Sequence, residues 1–451
     1  MRRRCSFRTE SCGSVDLPTS TDQSKRNFQY SYTKFCILMP AMPIRVLHVS
    51  PFFAPAWVYG GLVESAYQFA RHLARAGAAV RVLTTDANGS GKKLDSAEKA
   101  PYARGQGFEV RYCGRLARQS VSLELLGALA EQVRWADVVH LHAAYSFPTI
   151  PTLLAARMLE RPVVWTPHGA LQRWSGSRRV RFKSLWEEVC NLVAPRGLVL
   201  HLTSESEVEE TRARFPRATI GLIPNGVEIP QSLHREPRGA RLRLGFVGRL
   251  DPKKGIENLL AACRMLKERS GPVFSLAIAG SGSSDYEAKL RREIDHLDLS
   301  NEVALLGDLR GEEKQRMFER TDVVVVPSFT ENFGIVVAEA LAQGAAVIAS
   351  TGTPWKEVER TGCGLWVGND PASLADAIST ISSMPVAEMG ERGRGWMAAS
   401  FSWDKCALEM LALYKDLLAQ RGDRDARRGA SAATRYGSPR SWADGTPPPA
   451  R

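Results

Sequence analysis

This chain of 451 residues lacks long apolar runs, paired cysteine motifs and a complete glycine fingerprint. No segment approaches the roughly 18 consecutive apolar residues of a membrane-spanning helix, which argues against a transmembrane protein. The eight cysteines form no CxxC pair and have no histidine at ligand spacing, so we expect reduced thiols in a cytoplasmic protein and no zinc site. The segment Gly280-Ser281-Gly282 follows a predicted strand but lacks the third glycine of a dinucleotide loop, which disfavours a dehydrogenase.

The charge is unevenly distributed along the chain. The net charge is +12, and residues 1–41 and 421–451 each contribute +4 of it. The remaining core is therefore only weakly basic, and the high isoelectric point is mainly a property of the two ends. This distribution predicts no nucleic-acid partner.

Apolar segments of strand length alternate with helical patterns along most of the chain. Such alternation predicts an α/β fold with mostly parallel, doubly wound sheets, and the length predicts more than one domain. The predicted strands of a first sheet are Ile44–Val49, Val80–Leu83, Phe108–Tyr112, Asp137–Leu141, Pro162–Thr166, Gly197–Leu202 and Thr219–Ile223. Those of a second sheet are Leu242–Val247, Phe274–Ala279, Val303–Leu306, Val323–Val326, Ala346–Ala349 and Gly364–Val367.

Composition places the domain boundaries. Polar, proline-containing residues 231–240 lack an apolar period and are predicted to link a first domain, residues 42–230, to a second, residues 241–403. A last helix is predicted within residues 404–420. Residues 1–41 are expected to be a disordered tail or to precede the true start at Met42, and residues 421–451 to be a disordered basic tail.

Residues 322–350 carry the strongest functional signal. Their pattern predicts a buried strand, a loop over residues 328–334, a helix over residues 335–343 that ends before Gly344, and a further strand. Glu331 lies in that loop, and Glu339 is the single charge of the helix, where an unpaired acid is costly. If helical geometry covered the whole interval, the eight-residue offset would separate the two carboxylates by about 12 Å along the axis. The free N–H groups at the helix start would face an anion between them.

Two further loops contain groups that can bind anions. The segment Gly248–Gly255 follows the first strand of the second domain and contains Arg249 and Lys254, which could meet a diphosphate. Gly60 and Gly61 open a helix in the first domain, and their amides can approach an anion or a hydroxyl closely. Taken alone, the spacing of Arg249 and Lys254 is more typical of a solvated basic loop, and the glycine pair is equally compatible with an ordinary turn.

Histidines at the ends of strands are additional candidates. His168 directly follows the strand at residues 162–166, which favours it as a site residue over the other seven histidines. His140 and His142 are two residues apart and share one side of a strand. We favour a packing or acceptor-side role for them over metal binding, because no third ligand is evident from the sequence.

Taken together, these motifs resemble the retaining GT-B glycosyltransferases of family 4, in the type that builds bacterial exopolysaccharide or lipopolysaccharide. The resemblance covers about residues 44–419 and is carried by Glu331-Asn332-Phe333-Gly334 with Glu339, by the Arg249–Lys254 loop, by Gly60-Gly61 and by Thr166-Pro167-His168-Gly169. It implies two Rossmann-like domains facing a cleft, a nucleotide-sugar donor, and a saccharide or lipid-linked acceptor.

The resemblance also implies a role for each site residue. Glu331 and His168 would contact the transferred sugar, and Glu339 the ribose. The backbone of residues 332–334 and the glycine pair at residues 60 and 61 would bind the substrates, while Arg249 and Lys254 would neutralise the leaving phosphate. No metal and no cofactor would be required.

Alternatives remain at this stage. A GT-B epimerase or phosphorylase would be a different enzyme on the same fold, and a catalytically silent sugar-nucleotide-binding protein would belong to another class. Basic residues mixed with aromatic ones over residues 171–186 predict either peripheral contact with the cytoplasmic face of the inner membrane or a solvated helix face near the acceptor cleft.

Overall fold

The first of two parallel sheets is built from the amino-terminal half of the chain. The computed structural model describes residues 42–104, 106–117, 120–172, 180–237 and 239–435, with side chains as far as residue 422. The strands are β1 Arg45–Val49, β2 Ala79–Thr85, β3 Glu109–Cys113, β4 Val138–His142, β5 Val163–Thr166, β6 Leu198–Leu202 and β7 Thr219–Leu222. They pair in the order β3-β2-β1-β4-β5-β6-β7, and every pairing is parallel. The helices are α1 Gly61–Arg75, α2 Ser96–Ala103, α3 Leu123–Trp135, α4 Thr149–Met158, α5 Val180–Val193 and α6 Val208–Arg214.

The second sheet repeats this arrangement with six strands. These are β8 Leu242–Val247, β9 Phe274–Ala279, β10 Val303–Gly307, β11 Val323–Val326, β12 Ala346–Ser350 and β13 Gly364–Val367. Their order is β10-β9-β8-β11-β12-β13, again all parallel. The helices are α7 Ile256–Glu268, α8 Ser284–His296, α9 Gly311–Glu319, α10 Ile335–Ala342, α11 Glu357–Arg360, α12 Pro371–Ser382, α13 Val386–Ser400 and α14 Trp403–Arg435. The predicted α/β class with two doubly wound parallel sheets is confirmed.

Burial on both faces explains why the strands were recognisable in the sequence. All four residues of β11 and all five of β4 are buried. Each sheet is covered by one apolar cluster per face, so a central strand has no solvent side and needs apolar residues at consecutive positions. The histidines of β4 are exceptions to this pattern, and they are described with the site below.

The chain passes between the domains twice. Residues 231–237, in the predicted linker, contain no helix or strand, and the Arg235 guanidinium bonds carbonyl oxygens of the second domain, including that of Gln343 at 2.9 Å. At the second crossing, Val227 and Ser402 form an isolated parallel bridge. The two crossings therefore run side by side.

The last helix is longer than predicted. It runs from Trp403 to Arg435, so the expected disorder from residue 421 onward is wrong for residues 421–435. The apolar pattern ends near Leu418, but the residues beyond it are rich in alanine, arginine and aspartate with no proline before Pro439, and such a segment can continue a backbone helix. The helix packs on α1, and Tyr414 belongs to the core of the first domain. Residues 1–41 and 436–451 lie outside the described residues.

The strand order places the cleft. In each sheet the order reverses between two central strands, β1 and β4 in the first and β8 and β11 in the second. Ligands of doubly wound sheets bind beyond the carboxyl ends of strands at such a reversal, because the adjacent loops diverge there. None of the described helices combines the length and the apolar character needed to cross a membrane. Within the described residues the five cysteines are free and buried, as expected for reduced thiols.

Candidate active site

Glu331 forms an ion pair with Lys254 at the reversal point of the second sheet. Lys254 ends a short turn after β8, and its Nζ lies 2.5 Å from Oε1 of Glu331, in the loop after β11. Ser328 Oγ donates to the same oxygen at 2.7 Å. Gly255 lets the two loops meet, since its φ is +66° and a Cβ there would lie 2.1 Å from the carbonyl oxygen of Pro327. The two residues predicted to act on sugar and phosphate are therefore side by side.

Glu339, on the helix α10 that follows this loop, is also paired with a lysine. Lys314 of α9 places its Nζ 2.7 Å from Oε1 of Glu339, and both side chains keep about a quarter of their surface exposed, 28% and 24%. The helix α10 begins only at Ile335, so the 12 Å offset derived for a continuous helix does not apply to Glu331, which lies in the loop. Lys314 was not predicted, because no feature of α9 in the sequence distinguishes it from a solvated lysine.

The start of α10 lies between the two carboxylates. Gly334 is its N-cap residue with φ +72°, and no side chain caps the first turn. Phe333 is buried against Trp355, whose Nε1 donates to the Phe333 carbonyl at 2.5 Å. This segment thus offers backbone N–H groups at a helix start, the arrangement that favours bound anions. The Phe333 side chain serves the core rather than a ligand.

Arg249 connects this wall to the glycine pair of the first domain. A Cβ on Gly60 would lie 3.8 Å from Nη2 of Arg249, and the position of a Cβ on Gly61 is open. Glu64, one turn into α1, accepts a bond from Gln68 Nε2 at 2.9 Å. Burial raises the pKa of Glu64, and the neighbouring charge of Glu339 acts in the same direction. The first turn of α1 therefore closes the cleft opposite α10.

The side chain of Asn332 turns away from the cleft toward the first domain. In the amide orientation that suits its partners, its nitrogen lies 2.6 and 2.9 Å from the carboxylate oxygens of Glu207, and its oxygen lies 3.1 Å from Thr203 Oγ1. Ser204 Oγ donates to the Asn332 carbonyl at 2.8 Å. Gly169 packs directly on this residue, because a Cβ there would lie 2.6 Å from the Asn332 Cβ. The asparagine predicted to bind substrate is thus engaged in a contact between the domains, which the sequence could not reveal.

His168 lies at the inner end of the cleft, beside this contact. It has φ +52°, is half-buried, and its Nε2 lies 3.1 Å from Nδ1 of His142. His142 Nε2 in turn lies 2.9 Å from Nδ1 of His48, which has no exposed surface. Burial lowers the pKa of His168 and that of His48 to about 3, so both rings are neutral at pH 7.

The structure brings a third histidine, His48, next to His140 and His142. His48 lies on β1 and is the residue paired with His140 in the sheet. Ring nitrogens of His48, His140 and His142 lie within 4.8 Å of one another. Nδ1 of His48 and Nε2 of His142 face each other at 2.9 Å, and the His140 ring stacks on that of His142 with centroids 4.3 Å apart, whereas metal ligands must point their in-plane lone pairs at one shared centre. Both nitrogens of His140 also bond protein hydroxyls, those of Tyr414 at 2.6 Å and Thr166 at 2.7 Å. This geometry fits packing rather than metal binding.

Two family models match the chain, one in each domain. The model described as Glycosyltransferase Family 4 matches residues 59–230, and the model described as Glycosyl transferases group 1 matches residues 234–396. The chain belongs to the GT-B glycosyltransferases.

Named relatives agree with this assignment. The glycosyltransferase is 29% identical over 330 residues to a phosphatidyl-myo-inositol mannosyltransferase of Propionibacterium freudenreichii, covering 69% of this chain and 78% of that one. It is 36% identical over 253 residues to a D-inositol 3-phosphate glycosyltransferase of Corynebacterium jeikeium, covering 50% of this chain and 59% of that one. Among solved structures, HepE of Anabaena in complex with UDP has a TM-score of 0.64 at 18% identity, with 83% of this chain and 100% of that chain covered. That structural likeness concerns the fold.

The glycosyltransferase cleft thus gathers opposite charges and free backbone donors along one wall. Lys254 and Arg249 carry fixed positive charges near an uncapped helix start, while two carboxylates lie on either side of that start. Positive groups and N–H dipoles in a partly desolvated cleft stabilise negative charge as it develops on a leaving group. Carboxylates accept hydrogen bonds from hydroxyl groups. A ligand with an anionic centre and a hydroxyl-rich part at each end matches this order.

Proposed function

We propose that this glycosyltransferase moves a hexose from a nucleoside diphosphate sugar to a hydroxyl acceptor with retention of the anomeric configuration. The proposal depends on one observation above all, the adjacent placement of Glu331 and Lys254 at the reversal point of the second sheet. Lys254 would bind the diphosphate where it joins the sugar, and Glu331 would accept from sugar hydroxyls. Glu339, on α10, would accept a hydrogen bond from the ribose. The UDP in the related Anabaena structure is consistent with a nucleotide donor.

The bond from the anomeric carbon to the phosphate oxygen breaks, and a bond from that carbon to the acceptor oxygen forms on the same face. The leaving phosphate takes the acceptor proton. Arg249, Lys254 and the start of α10 would stabilise the negative charge that the diphosphate gains. Because the chain supplies these donors itself, the proposed reaction is independent of a metal ion, and no residue is assigned as a general base.

The acceptor side belongs to the first domain. We propose a saccharide or lipid-linked acceptor of cell-surface polysaccharide synthesis, bound near Gly60 and Gly61, and peripheral contact with the cytoplasmic face of the membrane. On α5, Phe182 and Leu185 expose 50% and 60% of their surface beside Lys183. Apolar and basic side chains on one helix are suited to an anionic membrane surface. The neighbouring Arg173, Arg178 and Arg179 lie outside the described residues.

A donor screen tests the proposal. Thermal shift with UDP-, GDP- and ADP-sugars should identify one base, since a ligand at 100 times its Kd stabilises by about 2.7 kcal/mol. Transfer from that donor should then lose about two orders of magnitude in Arg249→Ala, as expected when a preorganised charge-stabilising donor is removed. Nuclear magnetic resonance of the product should show the anomeric configuration of the donor. Inverted product, or full activity in the variant, would contradict the proposed mechanism.

A further inference from the structure

Two separate hydrogen-bonded rows of buried histidines lie beneath the cleft. In the first row, Tyr414 O–H meets His140 Nδ1, His140 Nε2 meets Thr166 Oγ1, and Thr166 Oγ1 lies 2.7 Å from His201 Nδ1. The row ends where His201 Nε2 lies 2.8 Å from the carbonyl oxygen of Ile223. A carbonyl can only accept, so His201 carries its proton on Nε2 and its Nδ1 accepts from the Thr166 hydroxyl. Thr166 Oγ1 then accepts from His140 Nε2–H, and His140 Nδ1 accepts from the Tyr414 hydroxyl. All members are satisfied, which is the pattern of a structural network.

The second row differs because it ends in the cleft. It consists of His48, His142 and His168, with contacts of 2.9 and 3.1 Å between ring nitrogens. At its inner end, Nε2 of His48 is buried and has no hydrogen-bond partner. At its outer end, His168 is half-buried, and no described residue forms a hydrogen bond with its Nδ1. Three neutral rings joined in this way have only two arrangements of their protons, each the reverse of the other.

The inner end decides between these two arrangements. In one, His48 carries its proton on Nε2, which leaves a buried N–H without an acceptor. In the other, Nε2 is a bare lone pair, and His48 Nδ1–H donates to His142, whose Nδ1–H donates to His168. Orphaned buried N–H groups are rarer in proteins than acceptors that lack a donor. The second arrangement is therefore favoured, and it leaves the proton of His168 on Nδ1.

We propose that His48 and His142 are positioning residues that hold His168 as a neutral Nδ1–H donor, aimed at an acceptor oxygen of the nucleotide sugar. The turn that carries His168 packs on Asn332, the residue next to Glu331, so its ring faces the sugar end of the donor rather than the base end. The tautomer follows from the protein alone, whereas its consequence for transfer rests on the proposed function. The other histidine row is fully buried and supplies a matched control.

Nitrogen-15 spectroscopy of the imidazole rings tests the tautomer without any substrate. In the protein at pH 7, His168 should show a protonated Nδ1 and an unprotonated Nε2, assigned by its loss in His168→Gln. His48→Leu removes the inner donor, so His168 should move to the Nε2–H form or to a mixture. His48→Asn retains an N–H near the place of Nδ1 and should restore the original form. His201→Gln, in the closed row, should leave His168 unchanged.

Kinetics then test the consequence. His48→Leu should lower kcat/KM for transfer roughly tenfold, the effect of one ligand hydrogen bond, and leave the Kd of the free nucleoside diphosphate unchanged. If His48→Leu weakened nucleoside diphosphate binding as much as it lowered kcat/KM, the oxygen that His168 contacts would belong to the phosphate, and the placement of His168 at the sugar end would be overturned. An Nε2–H tautomer in the unmodified protein, or no change in His48→Leu, would overturn the positioning role. If His48→Leu fails to fold, the unmodified protein and His48→Asn still decide the tautomer. Lack of transfer from every donor, with the tautomer as expected, would refute the proposed function alone.

Discussion

Lowering the pH from 7 to 5 should destabilise this protein because several of its histidines are buried and neutral. Burial lowers the pKa of His48 to about 3 and that of His201 to about 4, and it holds the pKa values of His140 and His142 well below normal. In the unfolded chain each group takes up a proton near pH 6.5. Unfolding therefore binds protons over the window from about pH 6.5 down to about pH 3, and stability falls as the pH falls through it.

The size of the loss follows from these values. A histidine that titrates at 6.5 when unfolded and at 4 or below when folded loses about 1.8 kcal/mol of stability between pH 7 and pH 5. The four fully buried rings together give about 7 kcal/mol, comparable with the whole stability of an ordinary domain. Glu64 and Glu207, whose pKa values are raised by burial, act in the opposite sense and reduce this sum at the acid end of the window.

Urea unfolding followed by tryptophan fluorescence at half-unit steps of pH measures the slope. We expect the proton uptake on unfolding at pH 5.5 to approach four from the fully buried rings, with His168 adding up to one more, and His201→Gln to reduce it by one. The glutamine keeps an N–H for the Ile223 carbonyl, so the variant should remain folded. An uptake below one proton, or an unchanged slope in His201→Gln, would refute the conclusion that the buried rings remain neutral.

Four further predictions concern the cleft. Lys254→Ala should lower turnover about 100-fold. The control Lys267→Ala, which breaks an ion pair with Asp298 at the far end of α7, should leave turnover unchanged. Activity should persist in excess EDTA, and a loss of activity that Mg²⁺ restores would refute metal independence. Glu339→Gln should weaken nucleoside diphosphate binding about tenfold by calorimetry, whereas Glu331→Gln should leave it nearly unchanged and lower transfer. Equal losses in both variants would reverse the assigned order along the donor. Asn332→Ala should lower the free energy of unfolding by about 1–3 kcal/mol, because it leaves the buried Glu207 carboxylate with fewer hydrogen-bond donors. An unchanged free energy of unfolding would show that the contact between the domains is weak.

Much of the fold was predictable because its signals are local. Strands covered on both faces require consecutive apolar residues, so β4 and β11 were evident from their composition alone. Gly344 was expected to end α10, and it follows that helix with φ +72°. The end of α14 was misjudged, since residues 421–435 carry no apolar period and only backbone propensity continues the helix.

By itself, the amino-acid sequence determined the two sheets, the loops after β8 and β11, and the candidates Glu331, Glu339, Arg249 and Lys254, because each is set by residues close together in the chain. Only the tertiary structure decided what those groups meet. Lys314 is 25 residues from Glu339, and the Asn332 amide contacts Glu207 of the other domain. Likewise, His48 meets His142 because β1 and β4 are neighbours in the sheet, although 94 residues separate the two rings in the chain. Such contacts depend on strand order and domain closure, which no local pattern of residues encodes.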